Sequence, residues 1–251
     1  MAVEIILDAG HGGFDNGAVY RGRAEKDDVL RLTMDVGSLL KEDGYTVRYI
    51  RTEDVYESPY QKAEKANQMK GDIFISFHRN SGVEENLYNG VQALVYSTEG
   101  KEAVVLGEAI NKNLEDMGFR NLGVEAIPDL IVLHRTQMPA VLMEVGFINS
   151  DTDNQIWEDQ YPEIVKAIVS GIEETFPLRS PDVHDVGREG GIMETGYPNR
   201  KFYVQTGLFK YDVNAAYQLE RLQMLGFDGI IHYEKPYYGV WIGGKEDLDE
   251  V

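Results

Sequence analysis

The chain has 251 residues, enough for one large domain or one medium domain with a small companion, and its composition is that of a globular protein with a sizeable core. A formal net charge of −19 argues against a nucleic-acid backbone as partner, and the absence of cysteine excludes disulfide scaffolds, thiolate metal sites and cysteine nucleophiles. No apolar run approaches the roughly eighteen residues of a transmembrane helix.

Residues 3–9 read as a buried strand that runs into "DAGHGG". "EKDDVLRLTMDVGSLLKEDGY" (25–45) places Val29, Leu30, Leu32, Val36, Leu39 and Leu40 at helical spacing. Asp27 and Asp28 suit the start of that helix and Gly44 its stop. "TVRYI" (46–50) is a strand, "SPYQKAEKANQMKG" (58–71) a shorter helix, and "DIFISFH" (72–78) a near-continuous apolar strand. Then follow a strand at 91–97, an amphipathic helix at 102–118, strands at 130–134 and 140–146, and a helix at 162–176. Strands apolar on both faces, alternating with helices, indicate an α/β fold: an open, mostly parallel or mixed sheet with helices on both faces.

The alternation ends at Phe176, so residues 1–176 form one domain. Residues 177–199 mix proline, glycine and charge without periodicity and read as a linker. Residues 200–251 read as strand (202–209), helix (213–225), strand (229–233) and strand (237–242). Val204-Gln205-Thr206-Gly207 weakly repeats as Val240-Trp241-Ile242-Gly243, which suggests a small ferredoxin-like α+β module, with its second half too short to be complete.

Ligands of an open α/β sheet gather beyond the carboxyl ends of its strands. His11 and His78 stand at two such ends, Glu144 interrupts the apolar "PAVLMEVGFI", and Glu25 opens the first helix. Two histidines and a carboxylate suit zinc and leave a position open for water, whose proton a further glutamate can take and pass to a leaving amine. Each residue also has a plain structural alternative: a turn histidine, a core histidine, a first-turn acid. Glu144 resists that reading, since a buried charge without a partner is costly. Gly12, Gly13 and Gly17 suit turns, and Gly10 and Gly12 leave room for a substrate to approach.

"ILDAGHGGFDNGA", "EKDDVLRL", "GDIFISFHRNS" and "MPAVLMEVGFINS" occur in that order. Together they resemble the zinc-dependent N-acetylmuramoyl-L-alanine amidases of bacterial cell-wall turnover. The resemblance implies one Zn2+ held by His11, Glu25 and His78, metal-bound water as nucleophile, and Glu144 as general base and acid. The substrate is then peptidoglycan, glycan strands and stem peptides, cut between N-acetylmuramic acid and L-alanine. The rival readings are a zinc peptidase acting within stem peptides and a peptidoglycan-binding protein without catalysis. Asp8, Asn80 and Arg135 are candidates for substrate contact or support of the site, with His134 and Arg135 near it by strand position. Where the family more often has proline this chain has Ala9, and where it has alanine stand Arg79 and Ser81; Arg79 is expected to bias substrate contacts without touching a ligand. The short segment 123–129 leaves no room for the blocking helix of some relatives, so the site is expected to be open. Residues 200–251 resemble a SPOR domain through "YVQTGLF", with Tyr203 and Gln205 as glycan contacts; Tyr237, Tyr238 and Trp241 are expected to serve its core, and His184 and His232 to play no part in a site. Action in the cell wall or outside the cell is implied, with a leader already removed or an unconventional export route. Oligomeric state is left open.

Overall fold

The computed structural model describes residues 3–178, 202–209, 215, 218–219, 222–223, 227–234 and 237–245. It divides into two compact units, Met1–Leu178 and Arg179–Val251. Most of the expected linker, His184 and most of the expected helix at 213–225 lie outside the described residues.

The first unit is built on six strands: β1 (Glu4–Ala9), β4 (Thr46–Tyr49), β5 (Ile73–Asn80), β6 (Val91–Val95), β7 (Asn121–Ala126) and β8 (Ala140–Phe147). A two-strand hairpin, β2 (Val19–Tyr20) and β3 (Arg23–Ala24), stands apart from that sheet. The sheet order is β4-β1-β5-β8-β6-β7, parallel throughout except where β6 runs against β8. The mixed open sheet expected from the alternation is the one observed.

Among the described residues, six helices complete the unit: α1 (Glu25–Glu42), α2 (Pro59–Met69), α3 (Lys101–Glu115), α4 (Ile131–Arg135), α5 (Asp151–Asp159) and α6 (Tyr161–Thr175). Local sequence explains their ends. The Ser58 side chain accepts from the Gln61 backbone while Gln61 reaches back to the Ser58 amide, and Pro59 follows, so α2 starts on a complete capping box. Acids fill the first turn of α1, and Gly44 follows it at φ +102°.

Strand alternation sorts the side chains into two cores. Ile5, Leu7 and Ala9 of β1, Ile73, Ile75 and Phe77 of β5, and Val141, Met143 and Val145 of β8 join α1, α3 and α6 in the larger core. The opposite face holds a smaller core of Ile6, Phe74, Ala140 and Leu142 with Ala66 of α2 and Val132 and Leu133 of α4. His78 and Glu144 continue that second series, and the two stand opposite each other in the β5–β8 register.

Two expectations are corrected. Residues 131–135 are a helix rather than a strand, and its Val132 and Leu133 pack with Ala66 of α2 and with Ala140 and Leu142 of β8 in the smaller core. Residues 121–126, which include part of the short segment before that helix, form the edge strand β7.

In the second unit β9 (Phe202–Phe209), β10 (Gly229–Glu234) and β11 (Tyr237–Lys245) make an antiparallel sheet in the order β10-β11-β9. A third strand inserted between the first two is the arrangement of a split β-α-β unit, as in ferredoxin-like modules. Val240 and Ala215 are buried there, with Leu219, Leu222 and Tyr238 packed against them, whereas Tyr237 is exposed. His232 is exposed on β10.

Candidate metal centre

Among the described residues, the His/Cys/Asp/Glu group whose ligand atoms converge is His11, Glu25 and His78, all within 4.8 Å of one another. Three different elements deliver them. His11 follows β1 in a left-handed turn at φ +58°, Glu25 is the first residue of α1, and His78 lies near the end of β5.

Glu25 is the hub. Its Oε1 is 3.1 Å from His11 Nε2 and 3.0 Å from His78 Nδ1, and it accepts from the Arg79 backbone N–H at 3.0 Å. Oε2 accepts from the Ala18 backbone N–H at 2.9 Å. Burial pushes the Glu25 pKa up, but the hydrogen bonds and charges of His11 and His78 outweigh it and hold the carboxyl well below its ordinary range. For His11 burial works downward and is overcome by the hydrogen bonds and charges of Glu25 and Asp15, so its pKa is raised. The two imidazole rings meet edge to face with centroids 4.9 Å apart, and both stay partly exposed.

Two glycines make this crowding possible. A Cβ on Gly10 would stand 2.6 Å from His78 Nε2 and 2.7 Å from Nδ1, inside the imidazole. A Cβ on Gly17, at φ +63°, would stand 2.5 Å from Glu25 Oε2 and 2.6 Å from His11 Cδ2. The room at Gly10 is therefore filled by the His78 side chain rather than left for substrate.

Glu144 belongs to the same face. Its Oε2 is buried and has no hydrogen-bond partner, although the residue as a whole is only partly buried. Desolvation pushes its pKa up to about 7, with the Glu25 charge adding to the rise and those of His78 and His11 opposing it. An unpartnered buried carboxyl beside two histidines and an ionised glutamate is poised to hold a proton or release it.

Asp8, Asn80 and Arg135 fall elsewhere. Asp8 is fully buried and pairs with Lys62 Nζ at 2.8 Å and Ser76 Oγ at 2.7 Å, and Lys62 also donates to the Ala9 carbonyl at 2.6 Å. Asp8 thus supports the turn through Lys62, beneath the surface. Asn80 Oδ1 accepts from the Ser81 backbone N–H at 2.8 Å, where the β5–β8 register shifts. His134 and Arg135 lie on α4, before the first residue of β8, while Glu144 lies in its second half. The Arg135 carbonyl accepts from Asn67 of α2, its guanidinium stands over Tyr60, and His134 packs near Tyr96. The structure therefore sets neither residue beside the His-Glu-His group. Arg79 is 2% exposed, so it offers nothing to a substrate. Its side chain turns to the face opposite His78, pairing with Asp28 at 2.7 Å and Asn154 at 2.8 Å over the ring of Trp157, and its backbone N–H does touch Glu25.

Three residues beyond those expected hold the turn. Asp15 Oδ2 lies 2.9 Å from His11 Nδ1, leaving Nε2 to face Glu25. Arg51, 2% exposed, donates to the carbonyls of Ala9 at 3.0 Å and Gly10 at 2.7 Å. Lys62 is the third. An acid four residues after a histidine was a visible signal for Asp15; the two cations carried none, because only the folded chain brings them to β1.

Comparison with known proteins agrees with this geometry. The Amidase_3 profile, described as N-acetylmuramoyl-L-alanine amidase, matches residues 5–174. The endolysin of Bacillus phage SPP1 is 36% identical over 185 residues, which are 71% of this chain and 68% of its own. The solved catalytic domain of CwlV, an N-acetylmuramoyl-L-alanine amidase from Bacillus (Paenibacillus) polymyxa var. colistinus, superposes with a TM-score of 0.64 at 28% identity, covering 70% of this chain and 99% of its own. An N-acetylmuramoyl-L-alanine amidase from Clostridium difficile 630 gives a TM-score of 0.64 at 26% identity over 68% of this chain and 95% of its own. The profile spans the six-stranded sheet and every residue of the convergent group, and the chain belongs to the Amidase_3 family of N-acetylmuramoyl-L-alanine amidases.

Proposed function

We propose that residues 1–176 are the catalytic domain of a zinc-dependent peptidoglycan amidase that cuts between the lactyl group of N-acetylmuramic acid and L-alanine. The donor set suits zinc: two imidazole nitrogens and one ionised carboxylate, three protein ligands with the rest of the coordination left open. His11, Glu25 and His78 would hold the zinc, which would supply Lewis acidity to a water and to the scissile carbonyl. Glu144 carries the proton: its Oε2 takes it from the attacking water and hands it to the departing amine of L-alanine. The C–N bond breaks, the lactyl carbon keeps the new oxygen as a carboxylate, and the stem peptide leaves with a free amine. Asp15 fixes the His11 tautomer, and Arg51 and Lys62 hold the carbonyls of the turn that presents it.

The observation that carries this reading is the buried, unpartnered Oε2 of Glu144 on the strand position opposite His78. A protein that only bound peptidoglycan would have no use for that cost. Incubating the zinc-loaded protein with sacculi and sequencing the new amine termini tests the bond: L-alanine is expected, and any other terminus points to a peptidase and refutes the amidase assignment. The endolysin and the amidases among its relatives support action at the cell wall. Among the described residues no helix is long and apolar enough to cross a membrane.

For residues 200–251 the proposal is a SPOR-like glycan-binding module, with Tyr203 and Gln205 two residues apart on β9. The split β-α-β order of the three strands and the exposure of Gln205 support it. Gln205→Ala should weaken co-sedimentation with peptide-free glycan, and equal retention would refute the contact.

A further inference from the structure

Phe14 is 80% exposed, an unusual position for a large apolar ring three residues from a candidate metal ligand. It is not loose. The loop that carries it closes on itself through Gly12 N–H to Asp15 O at 2.9 Å and Asp15 N–H to Gly12 O at 3.1 Å. Gly13 N–H donates to Asp54 Oδ1 at 2.7 Å, and Lys26 Nζ donates to Gly13 O and Asp54 Oδ2, each at 2.8 Å. These bonds tie the loop to the segment bearing Tyr56, whose ring backs Phe14 at 4.2 Å between centroids and 34° between planes. Gly13, at φ +59°, permits the approach, since a Cβ there would stand 2.8 Å from Tyr56 N. One face of a fixed aromatic ring is thus offered to solvent beside the turn of His11, at little ordering cost on binding.

The charges around the ring choose its occupant. Asp27, Glu53 and Asp54 are exposed carboxylates on the segments flanking it. The cations on these segments are engaged: Lys26 with Asp54 and Gly13, Arg51, buried, with backbone carbonyls, and Arg21 and Arg23, the nearest along the chain to Phe14, with Asp151 and Asp28. A stem peptide rich in carboxylates meets repulsion there from those acids, and the cations just named are already paired. A neutral pyranose, whose C–H face stacks on an aromatic ring, meets neither obstacle.

We propose that Phe14, buttressed by Tyr56, is a stacking platform for a neutral N-acetylated amino-sugar ring of the glycan strand, which directs the glycan to this side of the site and the stem peptide away from it. The proposal rests on the amidase reading for its purpose, but its test reads binding alone. The full-length protein, labelled with 15N, is titrated with N-acetylglucosamine tetrasaccharide and, separately, with a soluble anionic stem tetrapeptide. The tetrasaccharide should shift the amides of residues 13–15 and 55–57, and Phe14→Ala should weaken the binding followed at those amides by roughly tenfold. Phe14→Leu, which keeps apolar bulk without the ring, should behave like Phe14→Ala. Absence of shifts at residues 13–15 and 55–57, whatever happens at residues 202–245, would overturn the proposal. So would shifts there with the peptide alone, or binding unchanged in both variants. If sacculi yield no L-alanine termini while these shifts occur, the amidase reading fails and the platform stands.

Discussion

Replacing Gly10 by alanine is the most selective perturbation of the proposed metal centre. Gly10 is not among the glycines with positive φ, so alanine fits the backbone there without strain. The nearest atoms all belong to one neighbour: the new methyl would stand 2.6 Å from His78 Nε2 and 2.7 Å from Nδ1. Carbon atoms in good contact keep about 3.5–4.0 Å, so the imidazole must retreat by roughly 1 Å. Disturbing only the groups behind a metal ligand costs about 10–100-fold in affinity, and here the ligand itself moves, so zinc should bind roughly 100-fold more weakly, or about 2.7 kcal/mol. Competition against a chromophoric chelator measures the affinity, and thermal unfolding of the metal-free protein, run in parallel, should shift by no more than a few degrees because the two cores are untouched. Zinc affinity within twofold of the parent, with the fold intact, would refute the placement of His78 among the ligands.

Two further outcomes follow from the buried charges. Lys62→Met strands the Asp8 carboxylate, whose side chain is 1% exposed, with Ser76 alone, a loss of about 3–5 kcal/mol, or roughly 10 °C in the melting temperature; Asp8→Leu added to it should restore most of that, and a single-variant shift under about 2 °C would contradict the pairing. The raised Glu144 pKa sets a pH dependence in the metal-free protein. The folded state holds this proton up to about pH 7 and the unfolded state releases it near the ordinary glutamate value of 4.5, so the folded state is favoured below 4.5 and that advantage is lost as pH rises through 7. Glu144→Gln should therefore gain stability relative to the parent across this window, by up to about 3 kcal/mol in urea titrations, and parallel pH profiles would refute the burial argument.

The group His11, Glu25, His78 and Glu144 was legible because its members sit at strand ends, at a helix start and inside an apolar run, positions that chain pattern reveals. The face each side chain takes then follows from period two along β5 and β8. The same period explains the miss at Arg79: next to His78, it must point to the opposite face, where Asp28 and Trp157 bury it. The run 130–134 is too short for its periodicity to separate helix from strand, and only its packing against α2 and β8 shows which it is. β7 went unseen because "NLGVEA" is a half-exposed edge strand with no apolar run of its own. Arg51 and Lys62 are ordinary cations in the sequence; their burial against the carbonyls of residues 9 and 10 arises from the packing of β1 against the segment after β4 and against α2.

The most direct test of the central claim is Glu144→Gln, assayed for zinc content and for release of L-alanine termini from sacculi in the same preparation. The account predicts one zinc per chain, as in the parent, with hydrolysis slower by about 10²–10⁴-fold, because the ligands are intact and the proton carrier is gone. An unchanged rate, or a loss of zinc that accounts for the lost activity, would contradict it.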